Sequence, residues 1–75
     1  MNYYEVKWVV SPLIPFREIL TVHLAELTFD SFVDTEDGVL AYAPVGDWNE
    51  SALDEIVKSM RAMEAEVAYS IQEKC

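Results

Sequence analysis

An α+β two-layer sandwich, a four-stranded antiparallel sheet carrying two helices on one face, is the fold this sequence predicts. Three observations predict it. The apolar pattern alternates between strand period and helix period in the order β-α-β-β-α-β. An Asp37-Gly38 pair divides two strand-like segments near the middle of the chain, as a hairpin requires. The chain has 75 residues, 52% hydrophobic and 25% charged, which is enough for one packed core and too apolar for a disordered tail.

Each element follows from local chemistry. Tyr3 to Val10 mixes β-branched and aromatic residues, with Tyr4, Val6, Trp8 and Val10 on one face and Glu5 and Lys7 on the other. Ser11-Pro12 ends this strand, because proline lacks an amide donor and drives its predecessor out of the helical region. Pro15 stands where a first helical turn tolerates it, and Phe16, Ile19, Leu20, His23, Leu24 and Leu27 recur at three- and four-residue steps. A helix is therefore expected from Pro15 to Leu27. Ser31 to Thr35 and Val39 to Ala43 flank Glu36-Asp37-Gly38, whose Asp-Gly pair supplies a residue tolerant of positive φ at a tight reversal. Pro44 and Gly46 close the third strand, and Asp47 with Glu50 has the spacing of a capping box that opens a second helix. Its apolar stripe is Leu53, Ile56, Val57 and Met60, with Asp54, Glu55, Lys58 and Arg61 opposite. Val67, Tyr69 and Ile71 alternate with Glu66, Ala68, Ser70 and Gln72 to make a fourth strand. The resulting order is the split βαβ pattern of ferredoxin-like sandwiches.

Such a sandwich leaves one sheet face without a helix. Tyr3, Tyr4, Trp8, Tyr42 and Tyr69 are distributed over the strands, so some aromatic surface is expected on the open face while most rings enter the core. Tyr3, Tyr42 and Tyr69 are the candidate partner-binding residues, and residues 1–75 form a single domain.

Composition excludes several functions. A chain this short buries only about 60% of its unfolded surface, so a deep catalytic cleft would compete with the core for side chains. Fourteen acidic residues against five basic give a net charge of -9, and Lys7, Arg17, Lys58, Arg61 and Lys74 are scattered, so direct binding of nucleic acid is not expected. A basic partner suits this charge, which also serves solubility. Neither glycine lies in a phosphate-cradling loop, so no cofactor-binding residue is assigned. His23 is the only imidazole and Cys75 the only thiol, too few for a zinc site or a nucleophilic pair, and His23 is expected to be a half-buried stripe residue. Asp34, Glu36 and Asp37 cluster at the hairpin tip without the spacing of a calcium loop, and no metal or catalytic residue is assigned. The single cysteine excludes an intrachain disulfide, and Pro12, Pro15, Glu5 and Lys7 interrupt the N-terminal apolar stretch. A soluble, unprocessed, cytoplasmic protein without a membrane span is the expectation.

Several stretches then carry a likeness: Tyr3-Tyr4-Glu5-Val6, Arg17-Glu18-Ile19-Leu20, Leu24-Ala25-Glu26-Leu27, Phe29 through Gly38, Ala41-Tyr42-Ala43-Pro44 and Ala68-Tyr69-Ser70-Ile71. In order and spacing the chain resembles the N-terminal domain of bacterial ribosomal protein methyltransferases of the PrmA type, which modify the eleventh protein of the large ribosomal subunit. It departs from them at Thr28, where glycine often follows the first helix, and at His23, where Glu or Ala is commoner. Trp48-Asn49-Glu50 looks like part of the family's linker motif but falls at the start of the second helix.

The resemblance implies a ferredoxin-like recognition domain that docks the basic ribosomal protein and presents its amino groups to a separate S-adenosylmethionine-dependent catalytic domain. That domain is expected to be absent from this chain, which is expected to be non-catalytic alone. The alternatives from other classes are a small-molecule effector module and a homodimerisation domain pairing open sheet faces.

Overall fold

The computed structural model describes residues 2–27, 29–47 and 49–74. Strands β1 (Tyr3–Ser11), β2 (Ser31–Asp34), β3 (Gly38–Pro44) and β4 (Glu66–Lys74) form one sheet in the order β2-β3-β1-β4. All neighbouring strands are antiparallel. Helices α1 (Leu13–Ala25) and α2 (Glu50–Ala62) cover one face, and a short 3-10 turn at Val45–Asp47 leads into α2. The architecture is the expected β-α-β-β-α-β sandwich.

Strand β1 lies between β3 and β4 and buries Val6, Trp8 and Val10, with Tyr4 half-buried on the same face. Val6, Trp8 and Val10 meet Val39, Ala41 and Ala43 of β3 and Val67 of β4 in the core. Leu20 and Leu24 of α1 and Leu53, Ile56 and Met60 of α2 close over them. Spacing of three and four residues puts each of these helical groups on one face, so a single layer of side chains excludes water from both helices and the sheet. Trp8 is the largest fully buried side chain, and its ring lies 4.9 Å from that of Tyr69. Its indole N–H finds no acceptor among the described residues, so its packing has to offset a desolvation cost of about 1–3 kcal/mol.

The structure alters three sequence expectations, the first of them the end of α1, which is Ala25 and not Leu27. The helical run starts at Leu13, but Ile14 sits at φ -109°, ψ 125°, the extended conformation that a following proline imposes, so regular α1 begins at Pro15 as expected. Helix α2 begins at Glu50 behind Asn49, which takes the N-cap position, so Glu50 is the first helical residue and not the third of a box opened by Asp47. Gly38 does not have positive φ. It is the first residue of β3, and a Cβ there would press into the Trp8 carbonyl, lying 2.7 Å from its carbon and 3.1 Å from the Val9 Cα. The glycine is required by close backbone approach between β3 and β1. The questions raised at Thr28, Trp48 and Cys75 lie outside the described residues.

The β2-β3 hairpin is held from outside itself. The Arg17 side chain of α1 donates from Nε to the Gly38 carbonyl at 3.1 Å and from Nη2 to the Thr35 carbonyl. Within the turn, the Thr35 amide donates to the Gly38 carbonyl at 3.0 Å, and the Val10 amide of β1 donates to the Asp37 carbonyl at 2.9 Å. One guanidinium thus supplies a donor to the Thr35 carbonyl and a second donor to the Gly38 carbonyl, tying the turn to α1.

Candidate functional site

The candidate site lies on the sheet face opposite the helices. Because side chains alternate along a strand, the register that buries Val6 and Trp8 places Tyr3, Glu5, Lys7 and Val9 of β1 on the open face. Pairing then assigns Val33 of β2, Leu40 and Tyr42 of β3, and Ser70, Gln72 and Lys74 of β4 to the same face. Apolar side chains stand in water there: Val33 is 50% exposed, Tyr3 39% and Val9 38%.

Tyr3 and Tyr42 come together. Their ring centroids are 5.7 Å apart with planes at 63°, an edge-to-face pair. The Tyr42 hydroxyl donates to Glu5 Oε2 at 2.9 Å, and Lys74 Nζ lies 4.0 Å from Glu5 Oε1. The hydrogen bond to Glu5 raises the Tyr42 phenol above its ordinary range, with burial adding to it, because ionisation would put two negative charges side by side. Beside the two rings is an open hollow of about 350 Å³, lined by Asn2, Tyr3, Asp30, Ser31, Tyr42, Ala43 and Pro44. The Asp30 amide donates to the Tyr42 carbonyl at 2.8 Å, which extends the β2-β3 pairing by one bond and fixes Asp30 at the rim.

Tyr69 is on the other face. It packs against Trp8, and its hydroxyl donates to Asp54 Oδ1 of α2 at 2.8 Å. Burial first, then the Asp54 hydrogen bond, pushes its phenol up to about 12. The structure therefore joins Tyr3 and Tyr42 and separates Tyr69 from them. Residues that the sequence did not single out as site members, Glu5, Asp30, Val9 and Leu40, complete the surface. Alternation along β1 joins Glu5 to Val9, the β1-β3 register adds Leu40, and Asp30 reaches this surface by lining the hollow.

The open face is also less acidic than the chain. Register assigns it Glu5 and Glu66 against Lys7 and Lys74, while outside it the excess of acid is carried by Glu26, Asp34, Glu36, Asp37, Glu64 and Glu73. His23 is half-buried in the last turn of α1, as its place in the apolar stripe implies. Among the described residues no three His, Cys, Asp or Glu side chains converge as a metal site, and no helix is long and apolar enough to cross a membrane.

Comparison with known proteins gives one relative to report. Over 74 residues, 97% of this chain, the sequence is 30% identical to a ribosomal protein L11 methyltransferase of Phocaeicola vulgatus. The chain spans about a quarter of that protein's length, since the match covers 26% of it. No family model matches the chain, and no solved structure matches it significantly. What the sequence is similar to is thus one part of a protein named for methylating a ribosomal protein.

Proposed function

We propose that this chain is a substrate-recognition domain that docks a large-subunit ribosomal protein for methylation by a separate S-adenosylmethionine-dependent catalytic domain. The observation that carries the reading is the end-to-end likeness, 97% of this chain, to a protein named ribosomal protein L11 methyltransferase. Two properties support it. The uncovered face presents tyrosine and aliphatic side chains of the kind that anchor interfaces. The net charge of -9 favours encounter with a basic protein.

The reaction itself falls to the catalytic partner, and the work of this chain is to position. The open face is nearly neutral while the whole domain is strongly acidic, so long-range attraction and short-range contact are separated. Charge steers the approach, and Tyr3, Tyr42, Leu40 and Val9 hold the docked partner.

Calorimetry of the chain with the large-subunit protein L11, at about 50 mM and about 150 mM salt, tests the reading; the Debye length falls as salt rises, so charge steering weakens. Saturable binding is expected at both, with stopped-flow association slowed at the higher salt and dissociation little changed. Absence of saturable binding at both concentrations overturns autonomous recognition.

A further inference from the structure

We infer that the hollow at the Tyr3-Tyr42 end of the sheet is a subsite for the ammonium side chain of a lysine on a basic polypeptide. The inference rests on the recognition reading for the identity of the partner, and on the hollow itself for the chemistry. Tyr3 and Tyr42 meet at 63°, so their faces point in different directions and the pair offers π surface to a group entering the hollow. A cation within about 6 Å of a tyrosine face is attracted by the ring quadrupole. Tyr42 donates its hydroxyl proton toward Glu5 at 2.9 Å, which fixes the ring and leaves it richer in electrons. Asp30 lines the same hollow and supplies a full negative charge at its rim, and none of the described lining residues is cationic.

Shape agrees with charge. Pro44 gives the hollow an apolar border against which the methylenes of a lysine can lie while its head group reaches the rings and Asp30. A neutral aliphatic chain would meet the same border but would gain nothing from the carboxylate or the quadrupoles. The site therefore selects for charge at the tip of a long apolar stem.

The test is an amide-resolved NMR titration of the 75-residue chain with tetralysine and, in parallel, with fully acetylated tetralysine, each variant being checked by thermal melting. Saturating shifts centred on Asp30, Ser31 and Tyr42 are expected with tetralysine and none with the acetylated peptide. Tyr3→Leu, at an exposed position and without any change of charge, is expected to raise Kd about three- to five-fold. Asp30→Asn is expected to weaken binding more than Glu55→Gln, which removes the same charge from α2. Shifts spread over the acidic residues of α1 and α2, equal Kd for Tyr3→Leu and the parent chain, or equal binding of the acetylated peptide would each overturn the subsite. The same variant titrated with L11 separates the two readings. Equal affinity of Tyr3→Leu and the parent removes the subsite and leaves recognition standing. Failure of L11 to bind while tetralysine still titrates at Asp30 and Tyr42 removes recognition and leaves the subsite.

Discussion

Glu64 is the one non-glycine residue with positive φ among the described residues, at 68°, and it follows the last turn of α2. Its amide donates to the Arg61 carbonyl at 2.9 Å, and the Ala65 amide donates to the Met60 carbonyl at 3.1 Å. This pair of bonds is the Schellman arrangement, with Glu64 in the left-handed position where glycine is preferred. Met60 and Ala65 are both buried, so the motif's apolar contact is part of the core and holds Glu64 in place. A side chain in the left-handed region costs about 1–2 kcal/mol. Glycine relieves that strain but loses about 0.4–1 kcal/mol through the greater freedom of the unfolded chain. Glu64→Gly should therefore stabilise by roughly 1 kcal/mol, a rise in Tm of about 4–8 °C for a domain of this size. Removing a carboxylate from a chain of charge -9 would also help, so Glu64→Gln is the control for charge and Glu64→Ala the control for losing the side chain. Circular-dichroism melts of the four chains decide it. A Glu64→Gly chain no more stable than Glu64→Gln would refute the strain argument and assign any gain to charge.

Gly38→Ala should be the most damaging small substitution. Its methyl would meet the Trp8 backbone, which has no rotamer to escape through, so a loss of about 3 kcal/mol or more is expected in urea unfolding. Arg17→Ala removes the donors to the Thr35 and Gly38 carbonyls; a loss of about 2 kcal/mol is expected, with faster hydrogen exchange at the Thr35 and Val10 amides, whose bonds close the hairpin. Tyr69 should titrate late: burial and the Asp54 hydrogen bond push its phenol from the ordinary 10.0 up to about 12, so its contribution to stability is complete below pH 10 and disappears as pH rises through about 12. Ultraviolet titration of tyrosinate should show this late step, and Tyr69→Phe should abolish it and flatten stability between pH 10 and 12.

Much of the fold was legible in the sequence because its signals are local. Alternation in Tyr3 to Val10 is a period-two pattern that only a strand can bury, and of the four residues it names, Val6, Trp8 and Val10 are buried and Tyr4 is half-buried. The Leu53, Ile56 and Met60 stripe is equally local and equally correct for α2. The Asp37-Gly38 pair located the hairpin but misled on its mechanism. Its glycine is needed because β3 runs close to the Trp8 backbone, a contact between residues 30 positions apart that no dipeptide signal contains. The Schellman ending at Glu64 was invisible for a related reason, since the usual marker, glycine, is absent and packing of Met60 and Ala65 enforces the turn.

The candidate site divides in the same way. Period-two alternation on its own put Glu5 and Lys7 on the face of β1 away from Val6 and Trp8, and the sequence supplied the large excess of acid over base. Which strand stands beside which was decided only by the folded chain. The pairing Glu5↔Tyr42 brings that carboxylate to the Tyr42 hydroxyl, while Trp8↔Tyr69 sends the third candidate tyrosine into contact with the core. Side-chain direction along a strand follows from backbone geometry one residue at a time. Strand register depends on where long-range burial and turn closure are both satisfied, and that is a property of the whole sandwich.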